Sequence, residues 1–243
     1  MAKLFVVGIG PGNRDNITYG AYRALEKSQI IVGYQKYVEL IKPWFLEKEF
    51  YATGMREEKE RCQFAVTQAA EGKIVSIISS GDPEVYGMAG LVFQTADKMG
   101  SDIEIEVVPG ITAAMAAGSL LGAPLTHDFA VISLSDLLTP WPLIQKRIQA
   151  AAEADFIICI YNPKSKNRQT NLSETIETIL HYRNPETPVG IVRHAGRSCE
   201  NVALTKLKDL NFCTVDMFST IIIGNSSTYI HNNKMITPRG YIV

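Results

Sequence analysis

The sequence contains 243 residues, of which 46% are hydrophobic and 20% are charged, and its formal net charge is −1. This composition indicates a folded globular protein and excludes a disordered chain. The near-zero charge argues against a broad surface for nucleic acid, and no apolar run reaches the roughly 20 residues of a membrane span. We therefore expect neither nucleic acid nor a membrane as a partner.

The cysteines of the chain lie far apart and form no C-x-x-C pair. This spacing is typical of reduced thiols in a cytosol, and it argues against a structural zinc site. We expect no signal peptide, because the first predicted strand begins at Leu4. The expectation is a cytoplasmic protein that holds no metal. The cysteines are Cys62, Cys159, Cys199 and Cys213.

Strands and helices alternate in the first half of the chain. Apolar runs rich in β-branched residues predict the strands, and turn residues end each of them. The predicted strands cover 4–7, 30–32, 74–78 and 103–108. The predicted helices cover 18–27, 33–42, 57–71 and 84–99, and a further helix of small residues ends at Leu121.

The second half repeats this alternation after a connector at Gly122–Leu125, so the class is α/β. We place a domain boundary at the connector, which gives an N-terminal domain 1–121 and a C-terminal domain 122–243. The predicted strands cover 130–134, 156–160, 189–192, 220–223 and a final strand at 239–243. The predicted helices cover 140–152 and 171–182, with a helical turn at 205–210.

Two turns in the first half follow buried strands. The glycine loop Gly8–Gly12 lacks the dinucleotide-binding spacing, because Asn13 stands where the third glycine should be and Pro11 interrupts the loop. In the turn Ser80–Pro83, Asp82 has two interpretations. It is a suitable N-cap for a helix opening near Glu84, and its carboxylate is equally suited to face a polar ligand.

Small residues also follow the strand that ends at Val108, where Thr112 and Ala113 open the next helix. They either let helices pack closely or leave room for a flat ring. In open α/β sheets the carboxyl ends of the strands are where ligands bind. The two strand-end turns therefore predict one ligand-binding cleft in this half.

Basic residues follow two predicted strands of the second half. Arginine binds carboxylates in a bidentate fashion, so one rim of such residues fits a substrate with several carboxylates. A solvated surface loop is the alternative. The candidate substrate-binding residues are Lys164, Lys166, Arg168, Arg193, His194, Arg197 and Arg239.

Polar residues also flank the first strand of the second half. His127 beside Asp128 could act as an acid or base, although a lone histidine is more often a structural residue. Asp136 has the same two interpretations, because it could also cap the helix that begins near Pro140. These three side chains are the candidate catalytic residues.

Short motifs with a defined order run along the whole chain: Gly8–Gly12, Ser80–Pro83, Pro109–Ala113, Gly122–Phe129, Ile132–Trp141, Tyr161–Pro163 and Ile236–Tyr241. Together they resemble the tetrapyrrole methylase family, whose members use S-adenosylmethionine and release S-adenosylhomocysteine. The resemblance implies a homodimer of two-domain α/β chains, with the cofactor in the cleft between the domains. The second-half motifs resemble members that methylate a precorrin-3 type tetrapyrrole at C-17, with ring contraction, in cobalamin biosynthesis.

By this resemblance a set of residues would bind the cofactor. One departure is Glu84, which stands where related methylases carry a small or apolar residue, so the local shape of the pocket is expected to differ. Ring contraction requires a proton or hydroxyl to move, and His127 with Asp128, or Asp136, are the candidates. The implied cofactor residues are Pro11, Ser80, Gly81, Asp82, Val85, Thr112, Ala113, Asn162 and, near the end of the chain, Thr220.

Two other functions remain open at this point. A family relative could methylate ribosomal RNA or a translation factor, although nucleic acid should require a broader basic surface. A non-catalytic carrier could instead sequester an unstable tetrapyrrole. For the methyltransferase, the second-half motifs favour a substrate that already carries cobalt, as in the anaerobic route.

Overall fold

The structure is a computed structural model that describes residues 3–165, 168–210 and 212–242. Contacts divide the chain into two compact units, residues 1–112 and 113–243. The boundary thus falls one helix earlier than the expected division after Leu121. The helix concerned packs on strands of the second unit, and the Leu121 side chain lies directly against the backbone of Gly190.

The first unit is a parallel sheet with helices on both faces. Its strand order is β3-β2-β4-β1-β5. The strands are β1 (Lys3–Gly8), β2 (Ile30–Tyr34), β3 (Glu49–Thr53), β4 (Ile74–Ser79) and β5 (Glu104–Val108). The helices are α1 (Tyr19–Lys27), α2 (Gln35–Ile41), α3 (Glu58–Ala70) and α4 (Ala89–Lys98).

Alternate side chains of β1 enter two different cores. Val6 packs with α3 and α4 on one face of the sheet, and Val7 packs with α1 and α2 on the other. Both side chains are fully buried. Because neither face meets water, the strand sequence is continuously apolar instead of alternating.

The second unit contains a mixed five-stranded sheet within the described residues, in the order β10-β9-β11-β8-β7. Its strands are β7 (Phe129–Ser133), β8 (Ile157–Tyr161), β9 (Pro188–Arg193), β10 (Asn201–Lys206) and β11 (Ser219–Ile223). A small sheet joins β6 (Gly122–Ala123), β12 (Tyr229–His231) and β13 (Lys234–Ile236). The helices are α5 (Ala113–Leu121), α6 (Trp141–Glu153) and α7 (Asn171–Leu180).

The strand directions bring several chain segments to one edge of this second sheet. Strand β7 is parallel to β8, and β11 is antiparallel to both β8 and β9. The carboxyl ends of β7, β8 and β9 therefore share an edge with the start of β11. We call this edge, with the loops that leave it, the upper edge of the second sheet.

The predicted α/β class is confirmed, but some local predictions are wrong. Strands β3 and β10 were not expected, and both are edge strands with exposed residues. The final strand predicted at 239–243 is absent from its described part, where residues 239–242 form no regular structure. No helix in the described part of the chain combines the length and apolar character of a membrane span.

Candidate functional site

Three turns at strand ends contact one another through their backbone atoms at the carboxyl edge of the first sheet. They follow β1, β4 and β5, and three glycines lie at their contacts: Gly8, the last residue of β1, and Gly81 and Gly110 in the turns after β4 and β5. An added Cβ at Gly8 would lie 2.6 Å from the Gly81 carbonyl oxygen and 2.7 Å from the Gly110 nitrogen. A Cβ at Gly110 would lie still closer to the Gly81 oxygen. Side chains are therefore sterically excluded at Gly8 and Gly110.

The turn after β1 is bonded directly to the turn after β4. The Gly10 amide donates to the Gly81 carbonyl (3.1 Å), and the Gly81 amide donates to the Gly10 carbonyl (2.8 Å). Both glycines have positive φ, 66° and 70°, a conformation that costs glycine little. Pro11 is buried next to this pair, and Ser80 is half-buried beside it.

The carboxylate of Asp82 connects the turn after β4 to the turn after β5. Its Oδ1 accepts a hydrogen bond from the Glu84 amide (2.9 Å), and its Oδ2 accepts one from the Gly110 amide (3.0 Å). Of the two interpretations of Asp82, the one that makes it the N-cap of a helix opening near Glu84 is wrong, because α4 begins only at Ala89. Asp82 instead fixes the spacing of two loops.

An irregular segment of residues 83–88 separates Asp82 from α4. Tyr86 has a φ of 57°, which is incompatible with a right-handed helix. The Ala89 amide donates to the Pro83 carbonyl (2.9 Å), and the Met88 amide donates to the Ser79 hydroxyl (3.1 Å). Val85 lies half-buried in this segment, whereas Glu84 is exposed.

In the second unit, a hydrogen bond joins the start of α5 to the end of β8. The Ala114 amide donates to the Tyr161 hydroxyl at 2.6 Å, and both residues are buried. The chain neighbours of this pair are Ala113, which follows the half-buried Thr112, and Asn162. The structure therefore brings Ala113 and Asn162 to the same place, as a shared binding role requires.

Asn162 is held in a fixed position at the upper edge. Its φ is 49°, and its Nδ2 donates to the Ser133 hydroxyl at the end of β7 (2.9 Å). Thr220 is buried at the beginning of β11, one residue inside the edge pair Ser219–Arg193. Three of the predicted cofactor residues, Ala113, Asn162 and Thr220, thus lie along one edge.

Arg168 is buried and joins two loops of the upper edge. Its guanidinium donates to the Asn162 carbonyl (2.8 Å) and lies 3.6 Å from the Asp136 carboxylate. Only 7% of its side chain is exposed, and its Nε has no hydrogen-bond partner within the described residues. Arg168 is therefore engaged inside the protein, whereas the prediction made it a substrate ligand.

The remaining basic candidates occupy different positions. Arg193 pairs with Asp216 at 2.7 Å and stays about half exposed, and the Lys164 ammonium donates to the Phe212 carbonyl. Both lie at the upper edge, as does half-buried Arg197. Arg239 is exposed beyond β13, and no described contact joins it to the other basic residues. Lys166 lies outside the described residues.

His194 stacks on Phe218 at the end of β9, with ring centroids 4.9 Å apart. Partial burial lowers the pKa of this histidine, and the nearby guanidinium groups of Arg193 and Arg197 lower it further, while Asp216 opposes them. The neutral imidazole is therefore favoured near neutral pH. In that form one ring nitrogen can donate a hydrogen bond and the other can accept one.

The candidate acid–base residues lie at opposite ends of β7. His127 and Asp128 precede the strand and are exposed, and the His127 Nδ1 accepts a hydrogen bond from the Asp128 amide (2.9 Å). Asp136 follows the strand at the upper edge. With about 3.3 Å per residue, a five-residue strand separates the two groups by about 16 Å. They cannot act together on one proton.

Comparison with known proteins identifies the family. The sequence matches the family Tetrapyrrole (Corrin/Porphyrin) Methylases over residues 3–211. The chain belongs to this family. As a tetrapyrrole methylase it superposes on the crystal structure of the methyltransferase CobJ with a TM-score of 0.93 and 34% identity. That alignment covers 98% of this chain and 100% of the other.

Two relatives of this tetrapyrrole methylase are similar over nearly all of its sequence. A Salmonella typhimurium protein named "Probable cobalt-factor III C(17)-methyltransferase" is 51% identical, covering 98% of this chain and 99% of that protein. The "Cobalt-factor III methyltransferase" of Priestia megaterium is 50% identical over 98% of this chain. The match covers only 45% of the Priestia protein, so that relative is more than twice as long.

Sequence reasoning did not single out Tyr161 or Ser133, although Ser133 accepts a hydrogen bond from the predicted site residue Asn162, and Tyr161 accepts one from Ala114, the residue after Ala113. Tyr161 stands beside Asn162 in the motif Tyr161–Pro163, and its hydroxyl was the available signal. Ser133 ends β7, a mostly half-buried edge strand, and no local pattern marks it as the partner of Asn162. In the part of the chain that the structure describes, no three His, Cys, Asp or Glu side chains cluster as metal ligands.

Proposed function

We propose that the protein transfers a methyl group from S-adenosylmethionine to C-17 of a precorrin-3 type tetrapyrrole, with ring contraction, in cobalamin biosynthesis. The observation that carries this proposal is the 51% identity with the named Salmonella enzyme across 98% of the chain. The names of both relatives specify cobalt-factor III. The proposed substrate therefore already carries cobalt, held by its own macrocycle.

The residues of the first-sheet turns fit a methyl donor of this kind. S-adenosylmethionine supplies a methyl group already activated on a cationic sulfur, so no enzymic nucleophile is needed. A carboxylate accepts about four hydrogen bonds. Asp82 accepts two hydrogen bonds from backbone amides, so it can still accept hydrogen bonds from a cationic or hydroxyl-bearing ligand. The proposed binding residues are Pro11, Ser80, Gly81, Asp82, Val85, Thr112, Ala113, Asn162 and Thr220.

The upper edge of the second sheet supplies the proposed substrate contacts. Arg193, Arg197 and Lys164 are cationic, and His194 can exchange hydrogen bonds with a carboxylate. Arg168 supports this edge from inside. A rigid, correctly oriented pair of reactants can lower a barrier by roughly 7–11 kcal/mol, so positioning is the main task of these loops.

For the proton transfer of ring contraction we propose Asp136 in preference to His127. Asp136 shares the upper edge with the proposed substrate residues, and its ion pair with Arg168 holds it there. His127 and Asp128 lie at the other end of β7. Acid–base catalysis requires hydrogen-bond reach to the substrate, either directly or through one water.

The proposed enzyme works in the cytoplasm as a homodimer. The resemblance to the family supports the homodimer. The cytoplasm suits the free thiols of Cys62, Cys159 and Cys199, because reducing compartments keep thiols unpaired. Burial raises the pKa of Cys62 to about 11 and that of Cys159 to about 12, so both stay protonated and unreactive. Light scattering after gel filtration tests the dimer.

The direct test uses purified protein, isotopically labelled S-adenosylmethionine and cobalt-factor III, with the metal-free macrocycle in parallel. The expected product is heavier by one methyl group, carries the label at C-17 and has a contracted ring. The cobalt-loaded substrate should react faster than the metal-free one. Absence of label transfer to either macrocycle would refute the proposal.

The same assay, repeated with ribosomal RNA and with a translation factor added as alternative methyl acceptors, separates the competing functions. Labelled ribosomal RNA or a labelled translation factor, with no labelled corrinoid, would favour the macromolecular methylase. Tight binding of the pigment without turnover, unaffected by the methyl donor, would favour a carrier.

A further inference from the structure

Two exposed leucines project from the loop that leaves β7. Leu137 is 68% exposed and Leu138 is 99% exposed. Single exposed apolar residues are common on protein surfaces, so exposure alone indicates little. These two are adjacent in the chain, and their loop leaves the same edge as the proposed substrate residues.

The loop that carries the leucines is anchored on both sides. Before them, Leu134 is fully buried, and its amide donates to the Tyr161 carbonyl (2.9 Å). After them, α6 begins with Trp141, which packs on the core and whose indole donates to Glu174 (2.8 Å). Both ends of the leucine loop are thus held by the core of the second unit.

A buried charge holds the residue that immediately precedes them. Asp136 lies 3.6 Å from the guanidinium of Arg168, a side chain that is only 7% exposed. The same guanidinium donates to the Asn162 carbonyl, so the leucine loop and the loop after β8 share one anchor. The residue before the leucines and the Asn162 carbonyl are therefore held by the same guanidinium.

We propose that Leu137 and Leu138 form an apolar contact for the face of the tetrapyrrole macrocycle. This inference rests on the proposed function and names further substrate residues for it. A macrocycle with carboxylate side chains presents a wide apolar face and an anionic rim. The upper edge offers the complement, with two leucines on the loop after β7 and cationic Arg193 and Lys164 on neighbouring segments.

Leucine-to-serine variants test this contact by equilibrium binding. Leu138→Ser and Leu137→Ser are compared with Leu46→Ser, a 79% exposed leucine of the first unit. Binding of cobalt-factor III is titrated by absorbance without methyl donor, and binding of S-adenosylhomocysteine is measured by calorimetry. A leucine that buries about half its side chain against a ring should weaken Kd about three- to tenfold when replaced.

The expected pattern is weaker macrocycle binding for Leu137→Ser and Leu138→Ser, with S-adenosylhomocysteine affinity and molecular mass unchanged. Leu46→Ser should match the wild type, and Leu138→Met should restore affinity because it keeps apolar area. Unchanged macrocycle Kd in both variants would overturn the inference. So would a lower molecular mass with unchanged Kd, because the leucines would then contact a second copy of the chain.

The wild-type arm separates failure of this inference from failure of the proposed function. If the wild type methylates the macrocycle and the serine variants bind it normally, only the leucine contact is refuted. If the wild type binds the macrocycle without methylating it, while the variants bind it weakly, the contact stands and the enzymatic proposal fails. If the wild type does not bind it, both are refuted.

Discussion

Replacing Asp82 tests whether its carboxylate acts chiefly as a connection between loops or as a ligand. In the structure its two oxygens accept hydrogen bonds from the amides of Glu84 and Gly110. Hydrogen bonds to a charged group contribute roughly 1.5–3 kcal/mol each. Because Asp82 is only half-buried, we take the lower end for both bonds. Asp82→Ala should therefore lower the free energy of unfolding by about 3 kcal/mol.

Asp82→Asn should have an intermediate effect. The amide keeps one acceptor oxygen, but its NH₂ group must face the second backbone donor, so about half the stabilisation is expected to be lost. Urea denaturation followed by circular dichroism measures the change. Hydrogen exchange of the Glu84 and Gly110 amides shows whether these two bonds are the ones lost. Asp97→Ala, at an exposed position of α4, is the matched control and should stay within about 0.5 kcal/mol of the wild type.

One result would refute this reasoning. If Asp82→Ala unfolds within 0.5 kcal/mol of the wild type, while its affinity for S-adenosylhomocysteine falls strongly, the carboxylate is chiefly a ligand. Loss of stability together with retained affinity in Asp82→Asn would support the connecting role.

The turn cluster and one surface ion pair give two further predictions. Gly110→Ala should destabilise the protein by more than about 2 kcal/mol, because its Cβ would overlap backbone that cannot move aside. Gly90→Ala, whose Cβ would meet no atom within 4 Å, should be neutral or stabilise the protein by about 0.5 kcal/mol. Thermal unfolding measures both variants, and equal effects would contradict the packing argument. Lys206 and Lys208 lower the pKa of exposed Glu186 to about 2 from an ordinary 4.5. Since the folded pKa is depressed, this ion pair stabilises the protein above pH 4.5 and ceases to do so as the pH falls towards 2. Denaturation of wild type and Glu186→Gln should thus differ at pH 6, more at low salt, and converge near pH 2; a difference that persists at pH 2 would contradict it.

Buried strands were predictable from sequence because burial on both faces removes polar residues from them. β8 is an uninterrupted apolar run for this reason, and β4 departs from that pattern only at Ser76 and at Ser79, its last residue. The edge strands β3 and β10 contain exposed polar residues, so their sequences resemble loops. Their pairing depends on partners elsewhere in the chain, and a local pattern does not contain that information.

The candidate site was predictable where it depends on strand ends, and unpredictable where it depends on distant contacts. The loops after β8 and β9 were expected to share a rim, and the topology places them at one edge. The second bond of Asp82 is to Gly110, 28 residues away, and no local pattern distinguishes it from a helix cap. The burial of Arg168 was equally hidden, because its partner Asp136 is on another loop.

The meeting of Gly8, Gly81 and Gly110 has a consequence for how such an enzyme can diversify. Their contacts are between peptide groups, so a substitution in this region cannot change its shape in small steps. A substitution there would instead disrupt the contacts. Variation in substrate among relatives should instead accumulate in the segments that leave β7, β8 and β9, where side chains do the contacting. We expect the sequence of these turns in the first unit to be constrained by backbone contacts, whereas the loops of the second unit can change in sequence during evolution.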